Sequence, residues 1–378
     1  MSNIYLDYAA ATPLDRRVML AMRPYFSNNF YNPSGLSVES DAVRRDIESA
    51  RETVARILGV KTSEIIFTAG CTEANNLAIR GVMEKYSRAN VVISAIEHDS
   101  VLAPAGLYDN KQVPVGQDAV VDIDRLVSLI DDNTVLVSVI LANNEVGSIQ
   151  PLQKISQRLA DIKKQRTASG NKLPLLFHTD AAQAGNCLSL QIDKLGVDLL
   201  SLNGGKIYGP KQSGVLFVRS SLSLRPLILG GLQESGLRAG TENPAGIVGF
   251  ARALSIAQTG RVSEAQRLSD LTDLFIEQIR ARLPKAIING SLVNRLPGNV
   301  HLSIPGTDNE RLIMELDLRG VIAAAGSACG ALRDRPSHVL SAMSIGDDLI
   351  HSSLRFSMGR STTAPKLKRV IELLVSLA

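Results

Sequence analysis

The sequence predicts an α/β fold, with a large domain on a mostly parallel sheet joined to a smaller α+β domain. Three observations predict it. Near-continuous apolar runs recur: "VVISAIEH" (91–98), "TVLVSVILANN" (134–144), "LPLLFHTD" (173–180), "VDLLSLN" (197–203) and "GVLFVR" (214–219). Such runs suit strands buried on both faces of a sheet. Helix-period segments alternate with them, the pattern of a parallel α/β sheet. After about residue 255 that alternation stops.

Taken in order, a short segment "IYLDY" (4–8) opens the chain and is expected to join the smaller domain. Residues 37–59, "SVESDAVRRDIESARETVARILG", are amphipathic with polar residues at their start, which predicts a helix. "EIIFTAG" (64–70) is a short strand, and "TEANNLAIRGVMEKYSR" (72–88) a helix. The apolar strands follow, with the helix "QKISQRLADIKKQR" (153–166) between two of them. Beyond residue 255 come a long helix at 264–284, a strand at 298–304, a helix at 309–320, a short strand at 321–326 and a terminal helix at 365–378. The expected division is a large domain over 15–254 and a small one from 1–14 and 255–378.

Charge and cysteine content narrow the function classes. The 378 residues carry 41 basic and 37 acidic side chains, a net charge of +4. That is a mixed, solvated surface and not a nucleic-acid footprint. There is no Trp, and no apolar run long enough to span a bilayer. Neither direct nucleic-acid binding nor membrane insertion is expected. The three cysteines, Cys71, Cys187 and Cys329, lie far apart and form no C-x-x-C pair, which fits a reducing, cytoplasmic setting. No metal site is expected.

The informative feature is what stands at the strand ends, where open parallel sheets bind ligands. The strand at 64–70 runs into Cys71 and Thr72 at a helix start, where backbone N–H groups and the helix dipole favour a phosphate. Others end in His98, in Asn143 and Asn144, in Asp180 with Gln183 close behind, and in Asn203. Each has an ordinary structural role open to it: Thr72 and Asp180 as helix caps, His98 as a partly buried ring. Lys206 is different. It sits in "NGGKIYGP", a glycine-lined bend between two apolar strands, 26 residues after Asp180. Lysine is rarely buried without a partner, and a desolvated amine has a lowered pKa and can condense with a carbonyl. A phosphate-type helix start, a strand-end Asp and this Lys are the parts a pyridoxal phosphate enzyme needs.

The segments "IYLDYAAATPLD", "NPSG", "FTAGCTEANNLAIRG", "EHDSV", "NNEVGSIQPL", "HTDAAQAGN", "KIYGPKQSGVLFVR", "GLRAGTEN", "GSACGAL" and "HSSLRFSMGR" occur in that order. With them the sequence resembles the cysteine desulfurases of the NifS/IscS type, fold-type-I pyridoxal phosphate enzymes, nearly end to end. The resemblance implies a mostly parallel sheet of seven strands and pyridoxal 5'-phosphate as cofactor. It implies Lys206 as the Schiff-base lysine, and His98 over the cofactor ring assisting proton transfers. Asp180 would meet the ring nitrogen, with Asn144 and Gln183 near the phenolic oxygen. Thr72, with the backbone at Cys71 and Asn203, would hold the phosphate. Thr241 would reach the phosphate of a neighbouring subunit, which implies a homodimer. Asn32 and Arg355 would take the carboxylate of L-cysteine, and Arg355 has the fork to bind it bidentately. Cys329, in a Gly/Ser/Ala-rich bend with Arg333 and Arg335 close by, would be the nucleophile that takes the sulfur and passes it, as a persulfide, to an acceptor protein of iron–sulfur assembly or tRNA thiolation.

Two positions depart from the family pattern. Where its members carry a histidine just before the lysine, and a serine two residues before that, this chain has Gly205 and Asn203. The neighbouring readings are a selenocysteine lyase or another fold-type-I aminotransferase. From a different class comes a sulfur-relay or scaffold-binding protein whose cofactor site has decayed at Gly205.

Overall fold

The computed structural model describes residues 3–86, 88–326 and 336–378. In chain order its strands are β1 (Ile4–Tyr5), β2 (Ile65–Thr68), β3 (Asn90–Ser94), β4 (Asn110–Val113), β5 (Thr134–Ser138), β6 (Leu176–Asp180), β7 (Leu199–Asn203), β8 (Gly214–Val218), β9 (Ile287–Asn289), β10 (Asn299–Ser303), β11 (Val321–Ile322) and β12 (Ser353–Ser357).

Seven of them form one sheet in the order β2-β8-β7-β6-β5-β3-β4. The pairs from β7 through β6, β5 and β3 to β4 are parallel, and β8 runs antiparallel to both β7 and β2. Alternate residues of one strand feed two different cores. Leu200 and Leu202 of β7 pack on one face with Val92 and Phe177, while Leu199 packs on the other with Val91, Ile93 and Leu176. That two-sided burial is why these segments read as unbroken apolar runs.

The helix Val38–Leu58 shows how local sequence sets an element. Ser37 caps it by accepting from Ser40 N–H, and Gly59 ends it at φ +73. Val43, Ile47, Ala50, Val54 and Leu58 form its buried stripe. The helix Pro244–Thr259 is not predicted by the sequence, because Gly246 and Gly249 weaken the pattern. Packing explains Gly249: a β-carbon there would lie 2.7 Å from Met22, in the neighbouring helix Arg16–Met22. Residue 254, where the expected domain division falls, is inside this helix.

A third core gathers Phe275, Leu302, Leu354, Phe356 and Leu367 with Ile4 and Leu6 from the N-terminus. Its sheet is antiparallel, in the order β12-β10-β9, and β1 pairs in parallel with β11. β12, sequence "SLRFS", is a second unpredicted element, since an arginine at its centre argues against a buried strand. No helix among the described residues is long and apolar enough to cross a membrane.

Candidate active site

β7 ends at Asn203, and Gly204–Lys206 makes a single tight turn. Asn203 Oδ1 accepts from Gly205 N–H at 2.9 Å. Gly204 leaves no room for a side chain, since a β-carbon would lie 2.1 Å from Ser213 Oγ. The turn presents Lys206 Nζ to two backbone carbonyls of the N-terminal segment, Ala9 O at 2.7 Å and Ala10 O at 2.6 Å. Gln183 Nε2 donates to the same Ala9 O at 3.0 Å. Burial, and then the charge of Arg355, push the Lys206 pKa down.

Asp180, at the end of β6, is buried and held by three donors. Asn75 Nδ2 reaches Oδ2 at 2.7 Å, Ala182 N–H reaches Oδ1 at 2.8 Å, and the Cys71 thiol lies 3.3 Å from Oδ1. Burial first, and then the Asp180 charge, raise the Cys71 thiol well above its ordinary range, so it stays a donor. Asn75 also donates to Ser100 Oγ at 2.8 Å, and that hydroxyl lies 2.8 Å from His98 Nδ1. Ser100 N–H donates to Nδ1 at 3.1 Å, so the neutral His98 ring carries its proton on Nε2. One chain of hydrogen bonds therefore runs from Asp180 through Asn75 and Ser100 to His98. Helical spacing could have pointed to Asn75, one turn after Cys71 on the inward face.

Arg355 is 1 % exposed and lies at the centre of β12. Its Nη2 donates to Asp7 Oδ1 at 2.7 Å and its Nη1 to the Asn144 carbonyl at 3.1 Å. Its Nε is buried without a hydrogen-bond partner among the described residues. His301 sits opposite in the strand register, and burial followed by the Arg355 charge lowers its pKa to about 3. Asp7 is a contact that the sequence reading did not anticipate.

Three expected site residues among the described ones stand apart from these contacts. Thr72 is exposed in the first turn of the helix Cys71–Met83. Asn32 is exposed, its side chain accepting from Ser34 N–H at 2.9 Å. Thr241 is exposed just before the helix Pro244–Thr259. Cys329 lies outside the described residues. Cys187 is buried, and burial followed by the Glu264 charge pushes its thiol up to about 12.

The residues present fit pyridoxal phosphate. The helix Cys71–Met83 begins at Gly70, which has φ +133 and supplies no side-chain cap, so its first-turn N–H groups are left for an anion. A β-carbon on Gly70 would meet nothing within 4 Å, which leaves open space over that helix end. Beside it stand a buried carboxylate for a protonated ring nitrogen and an amine whose pKa is lowered.

The class-V aminotransferase profile matches residues 4–370, and the chain belongs to that family, whose members depend on pyridoxal phosphate. It is similar to the cysteine desulfurase IscS of Dictyoglomus turgidum, with 40 % identity covering 98 % of this chain and 93 % of that one. A solved NifS-like protein superimposes with a TM-score of 0.90 at 31 % identity, covering 99 % and 98 % of the two chains. The structure of SspA in complex with cysteine matches with a TM-score of 0.82 at 32 % identity, covering 94 % of this chain and 98 % of that one.

Proposed function

We propose that the chain is a pyridoxal phosphate-dependent cysteine desulfurase that converts L-cysteine to L-alanine and takes the sulfur onto Cys329. The carrying observation is that Lys206 rests on two neutral carbonyls within electrostatic reach of buried Asp180 and buried Arg355. Pyridoxal phosphate, when bound, supplies the electron sink that makes the substrate's α-proton acidic.

The chain's own groups do the rest. Arg355 binds the substrate carboxylate, helped by Asn32. Thr72, the backbone at Cys71 and Asn203 would hold the phosphate. Asp180 would pair with the ring nitrogen's proton, and Cys71, Asn75 and Ala182 keep the carboxylate in place. Gln183 and Asn144 would border the ring's phenolic edge. His98, with its proton on Nε2, would cover the ring and assist proton transfer. Lys206 Nζ takes the α-proton and later returns it. The Cys329 thiolate attacks the substrate sulfur. An S–S bond forms as the Cβ–S bond breaks, and the carbon skeleton is protonated and leaves as L-alanine.

We place the protein in the cytoplasm as a homodimer that hands its persulfide sulfur to an acceptor protein. Phe26, Phe30, Leu36, Leu229 and Leu232 are exposed, as is Thr241, which would reach the partner subunit's phosphate. Two units, 15–254 and the remainder, describe the chain. The test is to incubate the purified protein, loaded with pyridoxal phosphate, with L-cysteine and a reductant. Equal yields of sulfide and alanine are expected, with one added sulfur on Cys329 by peptide mass spectrometry. Cys329→Ala should release no sulfide, and Cys187→Ala should keep its rate, since that buried thiol stays protonated. Sulfur found on Cys187 or Cys71, or no sulfide at all, sinks the reading.

A further inference from the structure

Tyr208 stands two residues after Lys206 at φ +61. A residue with a β-carbon rarely adopts that left-handed backbone. Gly205 and Gly209 are close by, yet a tyrosine takes the strained position. Such conformations persist where the surroundings over-determine them, and they cluster at functional sites.

Four contacts hold this one. Tyr208 N–H donates to Thr12 Oγ1 at 2.8 Å. Its carbonyl accepts from Asp15 N–H at 3.0 Å. Its hydroxyl accepts from Arg360 N–H at 2.8 Å. The Arg360 guanidinium lies 3.9 Å from the centre of its ring and bonds to Asp15 Oδ2 at 2.7 Å.

These contacts lead in two directions. Towards Lys206, the Thr12 hydroxyl also donates to Gly205 O at 3.0 Å, so one side chain brackets the lysine on both sides. Towards Arg355, the bonded Arg360 N–H lies five residues along the same segment, just beyond β12. Gly359, between them, is fitted to the ring: a β-carbon there would lie 2.5 Å from the Tyr208 hydroxyl and 2.4 Å from the Tyr8 ring. Burial raises the Tyr208 pKa, so the hydroxyl stays protonated.

We propose that Tyr208 is a positioning residue, tying the turn that carries Lys206 to the segment just beyond β12, the strand that carries Arg355. It rests on the roles of those two residues given above. A substrate anchored by its carboxylate on Arg355 then has its α-carbon set at a fixed place relative to the Lys206 amine. Reaction rates are sensitive to such alignment.

Tyr208→Phe keeps the ring, its packing under Arg360 and both backbone contacts. It removes only the hydroxyl that accepts from Arg360. In the holoenzyme, KM for L-cysteine, and Kd for L-alanine by calorimetry, should rise about three- to ten-fold, the weight of one neutral hydrogen bond, with kcat falling by less. Thr12→Val acts at the other end, so kcat should fall by more than KM changes, and Thr12→Ser should restore it. Hydrogen–deuterium exchange reads the tether itself: peptides across 358–361 should exchange faster in Tyr208→Phe. Unchanged exchange there overturns the proposal. So does faster exchange with KM and Kd unmoved, or a loss of thermal stability alone. A wild-type protein that neither binds L-alanine nor turns over L-cysteine defeats the proposed function instead, and the exchange measurement still decides whether the tether exists.

Discussion

Lys206 and Arg355 are two basic side chains of the candidate site, held in opposite ways. Among the described residues, the amine's hydrogen-bond partners are dipoles, the carbonyls of Ala9 and Ala10. The guanidinium meets a formal charge, the Asp7 carboxylate, as well as the Asn144 carbonyl. Dipoles can hold an ammonium without paying the whole cost of burying its charge, so burial lowers the Lys206 pKa. Guanidinium does not give up its proton in proteins, and a carboxylate beside it satisfies a charge that cannot leave. One arrangement suits a group that must exchange a proton, the other a group that must stay an anchor.

The largest expected effect breaks the first half of this contrast. Lys206→Ala removes the amine, and turnover should fall at least about a thousand-fold, within the range that general-base groups contribute. Sulfide assay against wild type checks it. Borohydride reduction followed by peptide mapping should mark Lys206 in the wild type, and a label on Lys211 would overturn the assignment.

The second prediction sharpens the contrast through charge. Arg355→Gln loses charged hydrogen bonds to the substrate carboxylate, so KM should rise about 10- to 100-fold. Arg355 also lowers the Lys206 pKa, so removing its charge should raise that pKa and move the acid limb of kcat to higher pH. Asp7 acts in the opposite sense, raising the Lys206 pKa. Asp7→Asn should therefore move the same limb to lower pH. Shifts of the same sign in both variants would show that the limb does not report Lys206.

The smallest effect concerns the glycine beside the amine. Gly205 has no positive φ, and a β-carbon there would lie 3.3 Å from Asn203 Oδ1 and 3.8 Å from Lys211 Cγ. A side chain fits with a slight adjustment of Asn203. Gly205→His restores a donor that members of the family carry, and pyridoxal phosphate retention on dialysis should improve about two- to ten-fold, with kcat little changed. Unchanged retention in a folded protein would mean that Asn203 and the helix end already satisfy the phosphate.

Much of this site is legible in the sequence because strand ends announce themselves. Asp180, Asn203 and Lys206 stand where apolar runs stop, and burial on both sheet faces is what makes those runs continuous. The order of the family's segments carried the rest of the expected site, including Arg355. The contacts that tune these residues are not legible. Asp7 and Arg355 are 348 positions apart, and nothing near either names the other. Asn75 stands one helical turn after Cys71, but nothing in the helix says that Asp180 is its partner until β6 brings the two together. Tyr208 escapes notice for a different reason: left-handed backbone is normally written with glycine, and here tertiary contacts hold a tyrosine in it.

The sequence by itself determined the alternation of strands and helices, the helix start at Cys71 and the glycine-lined bend that carries Lys206. Each follows from periodicity or from backbone preference, which act over a few neighbouring residues. Only the tertiary structure decided that the N-terminal segment would support Lys206, that Asp7 would face Arg355, and that the amine would have its pKa lowered. Burial and Coulomb interactions depend on distance in space, and the groups that exert them here come from opposite ends of the chain.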